Sequence, residues 1–280
     1  MKISRTPLRI SFLGGGSDYP QWFNEHGGAI LGTTINKYCY VMLHNGKSWK
    51  TFDLPTKSGL GSSSAYTVGL LRVCTELDKE TIAGLATVWE QDKMADNVGC
   101  QDQYLCSSGG FHVLRFTEHA INDTLLSPEL VAPLQKYLML FDTQQYRRAS
   151  TVINYQLERI KQNRKILERI AGMVDDGVHD INNHDYDSFG ALLNEAWSLK
   201  RQLSKYVSTL GIDGIYEKAL RAGATGGKLL GGGGGGFILF LVMPDKQAEV
   251  RSALNELAYA PFDFENEGTQ LVYDNCGKPK

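Results

Sequence analysis

The stretch Ser58-Gly59-Leu60-Gly61-Ser62-Ser63-Ser64-Ala65 runs directly into Tyr66-Thr67-Val68-Gly69-Leu70-Leu71-Arg72-Val73, where apolar residues recur at helical spacing. Glycines allow a tight turn and the close approach of a ligand to the backbone. The helix presents unpaired N–H groups and its positive dipole end to this turn, which suits a nucleotide phosphate. The three serines add hydroxyls for phosphate oxygens or a hard cation such as Mg²⁺. An ordinary serine-capped helix has the same pattern, so this stretch alone leaves both interpretations open.

The composition of the chain excludes several classes of function. With 280 residues and a net charge of -2, the chain has no basic excess to neutralise a nucleic acid. Its five cysteines form no CxxC pair, which argues against a disulfide framework or a zinc site. No apolar run approaches the length of a membrane span, and the first residues lack the apolar segment of a signal peptide. We therefore expect a soluble, cytoplasmic protein without nucleic-acid or membrane partners.

A second glycine cluster follows the first predicted strand. The segment Leu8-Arg9-Ile10-Ser11-Phe12-Leu13 alternates apolar and polar residues, and Gly14-Gly15-Gly16-Ser17-Asp18 follows as a turn. Asp18 could accept hydrogen bonds from hydroxyl groups, although a plain turn explains it too. Arg9 is unusual inside a strand, so it either faces solvent or pairs with a buried carboxylate.

A third cluster consists of six consecutive glycines, residues 231–236, placed before the apolar strand Phe237-Ile238-Leu239-Phe240-Leu241-Val242. It precedes a strand rather than a helix, so the dinucleotide-binding motif is excluded. Gly227-Lys228 resembles the end of a Walker A loop, but Leu229 follows where that loop requires Ser or Thr, so a Walker A loop is excluded as well. Ordering six glycines costs much conformational entropy, which predicts very close packing against another loop or a ligand.

The remaining elements are read from periodicity. Residues 29–34 and 38–43 are predicted to form a β-hairpin, and residues 175–187 a polar loop. Asp102 is expected near the start of a short helix, where capping alone could explain it. Glu90 lies on the preceding helix.

The three glycine motifs together resemble the signatures of the GHMP small-molecule kinases. Phe12 to Tyr19 is similar to their sugar-binding motif, Ser58 to Ala65 to their PxxxGLGSSA phosphate loop, and Lys228 to Phe237 to their third motif. Within that superfamily, Arg5 to Phe12 and Gln101-Asp102-Gln103 resemble the D-glycero-D-manno-heptose 7-phosphate kinases. The resemblance covers nearly the whole chain.

The resemblance implies a role for particular residues and an ATP-dependent sugar kinase that uses Mg²⁺. Asp102 is the implied general base, paired with Arg9. The residues implied to bind the ATP phosphates are Gly59, Leu60, Gly61, Ser62, Ser63 and Ser64, and those implied to bind Mg²⁺ are Ser63 and Glu90. The residues implied to bind substrate are Gly15, Gly16, Ser17, Asp18 and Arg147. Those implied to pack on the site are Gly231, Gly232, Gly233 and Gly234. The implied partners are ATP and a small sugar phosphate, phosphorylated at its anomeric hydroxyl for nucleotide-sugar synthesis; homodimer formation is left open.

The implied fold is α+β, with an N-terminal ATP-binding half like ribosomal protein S5 domain 2 (residues 1–136) and a ferredoxin-like C-terminal half (residues 137–280). The active site is expected in the cleft between them. Family members usually carry several dozen more residues before the phosphate loop than residues 45–57 provide here, and these supply part of the adenine pocket. The alternatives are a GHMP kinase for another sugar or for mevalonate, and, because of this shortened segment, a catalytically impaired binding protein.

Overall fold

The computed structural model describes residues 1–93, 98–146 and 149–275. The strands are β1 (Lys2–Leu13), β2 (Gly28–His44), β3 (Lys47–Phe52), β4 (Phe111–Phe116), β5 (Ile121–Leu126), β6 (Leu138–Asp142), β7 (Ala224–Leu229), β8 (Phe237–Val242), β9 (Ala258–Tyr259) and β10 (Gln270–Asp274). The α-helices are α1 (Pro20–His26), α2 (Ser62–Cys74), α3 (Lys79–Val88), α4 (Gln101–Ser108), α5 (Pro128–Gln135), α6 (Ala149–Glu158), α7 (Arg164–Asn182), α8 (Tyr186–Leu203), α9 (Leu210–Arg221) and α10 (Gln247–Ala253). A short π-helix, Trp89–Lys93, continues α3, and a 3-10 turn, Pro244–Lys246, precedes α10. None of the helices in the described ranges is long and apolar enough to cross a bilayer.

The first sheet has six strands, in the order β10-β1-β2-β4-β5, with β3 paired to β2. Its strands pair antiparallel. The predicted strand at the N-terminus is thus part of β1, and its apolar residues Leu8, Ile10 and Phe12 are fully buried. Helices α2, α4, α7 and α8 all contact β1, and every residue of this strand from Thr6 to Leu13 is buried, the polar ones included.

The predicted hairpin at residues 29–43 is wrong. These residues form the single strand β2, and Asn36 and Lys37 are extra residues opposite β1, between the pairs Leu8–Ile35 and Pro7–Tyr38. A bulge rather than a turn forms here because the Asn36 N–H donates to the Asp263 carbonyl (2.9 Å), which keeps the backbone tied to a neighbouring segment.

The hairpin turn occurs instead at Asn45-Gly46, between β2 and β3. Both residues have positive φ, 49° and 71°. This is the conformation that two-residue hairpins require and that Asn-Gly favours.

The second sheet has the order β7-β8-β6-β9. In chain order its elements are a strand, helices, two strands, a helix and a strand, which is the arrangement of a ferredoxin-like unit with extra helices in the first crossover. The expected α+β fold is therefore confirmed. Part of the predicted 175–187 loop is helical, since α7 runs to Asn182 with Val174 and Ile181 buried at helical spacing.

The C-terminal end of the chain returns to the first sheet. After β9, the Ala260 N–H donates to Leu140 of β6, while Phe264 pairs with Ile35 and β10 pairs with β1. The predicted division at residues 136 and 137 lies between α5 and β6, but β10 belongs to the sheet of the N-terminal half. This arrangement brings segments from both sheets around one central cavity.

Candidate active site

A cavity of about 480 Å³ lies where the three glycine clusters meet. Its wall includes the turn before α1, the phosphate loop, the start of α4 and the glycine turn between β7 and β8. The candidate residues of the sequence prediction that line it are Arg9, Gly15, Gly16, Asp18, Gly59, Gly61, Ser62, Ser63, Ser64, Asp102, Gly231, Gly232 and Gly233. The candidate residues from all three glycine clusters therefore line one common cavity.

The phosphate loop opens α2 toward this cavity. Gly61 has a left-handed backbone (φ 73°, ψ 23°), and helix α2 starts at the next residue. The Ala65 N–H makes a helical bond to the Gly61 carbonyl (2.8 Å), so the N–H groups of residues 62–64 have no acceptor within the helix. These groups and the exposed Ser63 hydroxyl form an N-terminus suited to an anion.

Two of the residues predicted to bind phosphate have side chains that contact other parts of the protein instead. Leu60 is fully buried in the hydrophobic core, and its carbonyl accepts a hydrogen bond from the Arg9 N–H (3.0 Å). The Ser64 hydroxyl donates to the Glu90 carboxylate (2.8 Å). Leu60 thus anchors the loop to β1, and Ser64 has only its backbone N–H to offer a phosphate.

The glycine turn at residues 231–236 packs directly on the phosphate loop. A Cβ on Gly231 would lie 2.5 Å from the Gly59 Cα, and one on Gly236 would lie 2.3 Å from the Ser58 carbonyl oxygen. The Phe237 N–H also donates to that carbonyl (2.9 Å). The predicted close packing is present for Gly231, whereas Gly233 and Gly234 contact Val207, which lies after α8. Glycine is required at these contacts because the two backbones leave no room for side chains.

Arg9 and Asp102 form a bidentate ion pair at the edge of the cavity. Arg9 Nε donates to Oδ1 (2.7 Å) and Nη2 to Oδ2 (2.6 Å), while Nη1 donates to the Gly59 carbonyl. Burial disfavours the charged guanidinium, but the Asp102 charge and hydrogen bonds outweigh it and raise the pKa of Arg9. Asp102 lies in the first turn of α4, where the helix dipole also favours its negative charge. The predicted pairing of a strand arginine with a carboxylate is therefore formed.

Asp18 is buried in the turn that follows β1. Its Oδ1 accepts from the Gly16 N–H (3.0 Å) and its Oδ2 from Gln101 Nε2 (2.8 Å). Burial raises the pKa of this carboxyl group, and the nearby Asp102 charge adds to the effect. Ser17, also predicted to bind substrate, is fully buried and donates to the carbonyls of Gly14 and Ala29 (2.8 and 2.9 Å), so its side chain holds the turn instead.

Comparison with known proteins identifies the family to which this chain belongs. The sequence profile of the GHMP kinases N terminal domain matches residues 40–110, and the profile described as GHMP kinases C terminal matches residues 178–260. The two matched ranges hold the phosphate loop and the glycine turn that pack together in the cavity. The chain belongs to the GHMP kinases. It is therefore an ATP-dependent phosphotransferase.

Several relatives resemble this GHMP kinase along most of its length. The D-glycero-alpha-D-manno-heptose 7-phosphate kinase of Campylobacter jejuni is 26% identical over 331 aligned positions, which cover 95% of this chain and 97% of the relative. The bifunctional fucokinase/GDP-fucose pyrophosphorylase of Arabidopsis thaliana is 32% identical over 235 positions, which cover 78% of this chain and 21% of that protein. The 331 positions exceed the 280 residues available, so the Campylobacter protein has residues without counterparts here.

Solved structures show the same fold. A D-glycero-D-manno-heptose 1-phosphate kinase from Bacteroides thetaiotaomicron has a TM-score of 0.76 at 24% identity and covers 98% of this chain and 100% of its own. The galactokinase of Lactococcus lactis, solved with galactose, has a TM-score of 0.73 at 16% identity and covers 97% of this chain and 95% of its own. At these identities the comparison establishes the fold.

Glu90, predicted to bind Mg²⁺, is enclosed by hydrogen-bond donors in this GHMP kinase. The residue is fully buried and does not line the cavity. Its Oε1 accepts from Thr67 Oγ1 (2.7 Å), and its Oε2 accepts from Ser64 Oγ (2.8 Å) and Gln103 Nε2. These hydrogen bonds join α2, which carries the phosphate loop, to α4, which carries Asp102. In this arrangement Glu90 braces two parts of the site, and Ser63 is the predicted Mg²⁺ ligand that faces the cavity.

Replacing Glu90 with glutamine is expected to lower the free energy of unfolding by about 1–3 kcal/mol, because an amide NH₂ would face one of three donors and leave it unpaired. Urea denaturation without Mg²⁺ or nucleotide measures this. Glu217→Gln on the exposed face of α9 is the control, expected to change stability by less than about 0.5 kcal/mol. If Glu90→Gln keeps wild-type stability but needs more Mg²⁺ for activity, the carboxylate is a metal ligand and the bracing role is wrong.

Sequence reasoning overlooked further residues of the cavity wall. Ser11 and Gln101 line it, and Ser11 Oγ and Gln101 Oε1 are buried without a hydrogen-bond partner among the described residues. Lys57, Lys200 and Lys228 line it as well. Strand alternation places Ser11 on the same side of β1 as Arg9, which is a usable signal, whereas nothing local marks Lys200 on its amphipathic helix. Arg147, predicted to bind substrate, lies outside the described residues.

Proposed function

We propose that this GHMP kinase transfers the γ-phosphate of Mg-ATP to the anomeric hydroxyl of a sugar phosphate, and that the sugar is a heptose 7-phosphate. The observation that carries the proposal is the Arg9–Asp102 pair in the same cavity as the phosphate loop. A carboxylate and a phosphate-binding helix N-terminus facing one space are the two parts that phosphoryl transfer to an alcohol requires. The likeness to the Campylobacter heptose 7-phosphate kinase supports the choice of acceptor.

The backbone of the phosphate loop would hold the nucleotide phosphates. The free N–H groups at residues 62–64 point out of the start of α2, and the helix dipole adds to their attraction for an anion. Mg²⁺ bound with ATP would neutralise phosphate charge, and the exposed Ser63 hydroxyl would ligate it. Packing of Gly231 and Gly236 on this loop keeps its shape before any ligand arrives.

Asp102 would accept the proton of the attacking hydroxyl. As the hydroxyl oxygen forms its bond to the γ-phosphorus, the bond from that phosphorus to the ADP oxygen breaks, and the proton moves to the Asp102 carboxylate. Arg9 holds both carboxylate oxygens and so fixes their orientation, and its charge also faces the phosphate loop through Gly59. Because an anomeric hydroxyl is more acidic than other sugar hydroxyls, a carboxylate is a sufficient base.

The acceptor would lie against the turn that carries Asp18. Gly15, Gly16 and Asp18 line this end of the cavity together with Ser11 and Gln101. The unpaired oxygens of Ser11 and Gln101 are suited to hydrogen bonding with a polyhydroxylated ligand, because a buried polar atom without a partner carries a free-energy cost that a ligand hydroxyl removes.

The proposal predicts ADP formation that depends on both Mg²⁺ and a phosphorylated sugar. A coupled ADP-release assay over heptose 7-phosphate, other sugar phosphates, unphosphorylated sugars and mevalonate measures it, with heptose 7-phosphate expected to give the highest kcat/KM. Activity confined to mevalonate would assign another acceptor. Failure to bind Mg-ATP in isothermal titration would contradict the proposal and indicate a binding protein without kinase activity.

A further inference from the structure

Two buried lysines in the cavity have no part in the mechanism described above. Lys200 comes from α8 and Lys228 from β7, and their exposed fractions are 9% and 4%. Lysine is rarely buried without a charged partner, because desolvation of the ammonium group is costly. Two such residues in one cavity wall therefore call for a ligand that compensates their charge.

Each lysine is held by a backbone carbonyl and keeps unused donors. Lys228 Nζ donates to the Phe12 carbonyl (2.6 Å), at the end of β1, and Lys200 Nζ donates to the Gly231 carbonyl. An ammonium group has three N–H donors, so each has two that these bonds leave free. The two carbonyls belong to the end of β1 and to the glycine turn between β7 and β8, and the bonds to them fix the lysines in position before a ligand binds.

The charges around the cavity favour an anionic ligand. The cations in its described wall are Arg9, Lys57, Lys200 and Lys228, and the carboxylates are Asp18 and Asp102. Arg9 is already paired with Asp102, and Asp18 is occupied by an amide and a backbone N–H. Burial lowers the pKa of Lys200 to about 8, and the Arg9 charge adds to the effect. A bound dianion would favour the charged form of this lysine and raise its pKa again.

We propose that Lys200 and Lys228 form an anion subsite for a phosphate group that the acceptor already carries. This inference rests on the proposed function, since it concerns the acceptor of that reaction. The nucleotide phosphates have their own donors at the start of α2. Lys228 instead donates to the carbonyl of Phe12, two residues before the Gly14-Gly15-Gly16 turn at the acceptor end of the cavity. The subsite selects a phosphorylated sugar over the same sugar without phosphate, and it places the far end of the acceptor while the anomeric hydroxyl faces Asp102.

The test compares Lys200→Gln and Lys228→Gln with the wild type. Glutamine keeps an N–H donor for the carbonyl but removes the charge. Isothermal titration with heptose 7-phosphate is expected to show a Kd about 10- to 100-fold higher in each variant, the loss typical of one hydrogen bond to a charged group. The Kd for Mg-ATP and the melting temperature should match the wild type. Lys205→Gln, at an exposed lysine just beyond α8, is the matched control and should bind both ligands normally.

Three results would overturn the subsite. Unchanged heptose 7-phosphate affinity would show that the lysines do not bind this phosphate. A parallel loss of Mg-ATP affinity, or a lower kcat with unchanged KM for the sugar, would show that they act on the nucleotide or on the transferring phosphoryl group. A wild-type enzyme inactive on every phosphorylated sugar would contradict the proposed function itself. Wild-type activity combined with unaffected variants would contradict only the lysine subsite.

Discussion

Asp102→Asn is expected to lower kcat at least about a hundredfold, the range that follows from loss of a general base. The amide cannot take the proton of the attacking hydroxyl. It keeps the size of the carboxylate and one acceptor for Arg9, so the phosphate loop that Arg9 contacts through Gly59 should stay in place. The Kd for Mg-ATP is therefore expected to stay within about twofold, a change of less than about 0.5 kcal/mol. Steady-state kinetics with saturating sugar phosphate and titration with Mg-ATP measure the two quantities.

The control for this variant is Asp187→Asn. Asp187 lies in the first turn of α8 and is exposed, so its replacement removes a carboxylate from a helix N-terminus without touching the cavity. We expect it to keep wild-type kcat. Should Asp102→Asn retain more than half of the wild-type kcat, Asp102 would have no role in proton transfer, and the pair with Arg9 would be structural only.

Gly59→Ala is expected to have the largest effect on folding. Gly59 has φ +85°, and its new Cβ would lie 2.4 Å from the Leu230 carbonyl oxygen and 2.7 Å from the carbonyl carbon. Both atoms belong to the backbone, so the glycine turn would have to move away from the phosphate loop. We expect a loss of about 2–4 kcal/mol in the free energy of unfolding, from overpacking together with the left-handed backbone. Urea denaturation of the ligand-free protein measures it.

Gly46→Ala separates the cost of the left-handed backbone from the cost of overpacking. Gly46 also has positive φ (+71°), but no atom lies within 4 Å of a Cβ built on it. Its replacement should cost only the backbone term, about 1 kcal/mol. Equal losses in Gly46→Ala and Gly59→Ala would mean that contact between the two glycine segments adds nothing to stability. A larger loss in Gly59→Ala, accompanied by weaker Mg-ATP binding, is the result that the packing predicts.

The local elements of the site could be read from the sequence because each depends on neighbours along the chain. Helix α2 follows from apolar residues at helical spacing after two glycines, and the short helix that carries Asp102 follows from the glycine turn before it. The pairing of Arg9 with a buried carboxylate was one of two alternatives for a charged residue in a strand. Burial of β1 by helices on several sides decided it, since only 6% of the Arg9 side chain is exposed and a buried guanidinium requires a charged partner.

The hairpin error and the unforeseen hydrogen bonds of Glu90 have a common cause in contacts between distant segments. The predicted hairpin failed because Asn36 bonds to Asp263, more than two hundred residues away, and no local rule reveals such a partner. Glu90 is a surface-compatible residue in sequence, yet its carboxylate is enclosed by donors from two other helices. In each case the residue type could be interpreted from the sequence, but the residue that it contacts could not.

The sequence was sufficient for the α+β fold and the phosphate loop because its three glycine motifs together resemble those of the GHMP kinases, while local backbone rules alone predicted only a helix start and a closely packed glycine segment. It did not show that Lys200 and Lys228 share one cavity with Asp18 and Arg9. Those residues come from a helix and a strand of the ferredoxin-like half and from the first strand and turn of the other half. Only long-range packing sets which charges share a desolvated space, because electrostatic interactions depend on distance and burial rather than on position in the chain.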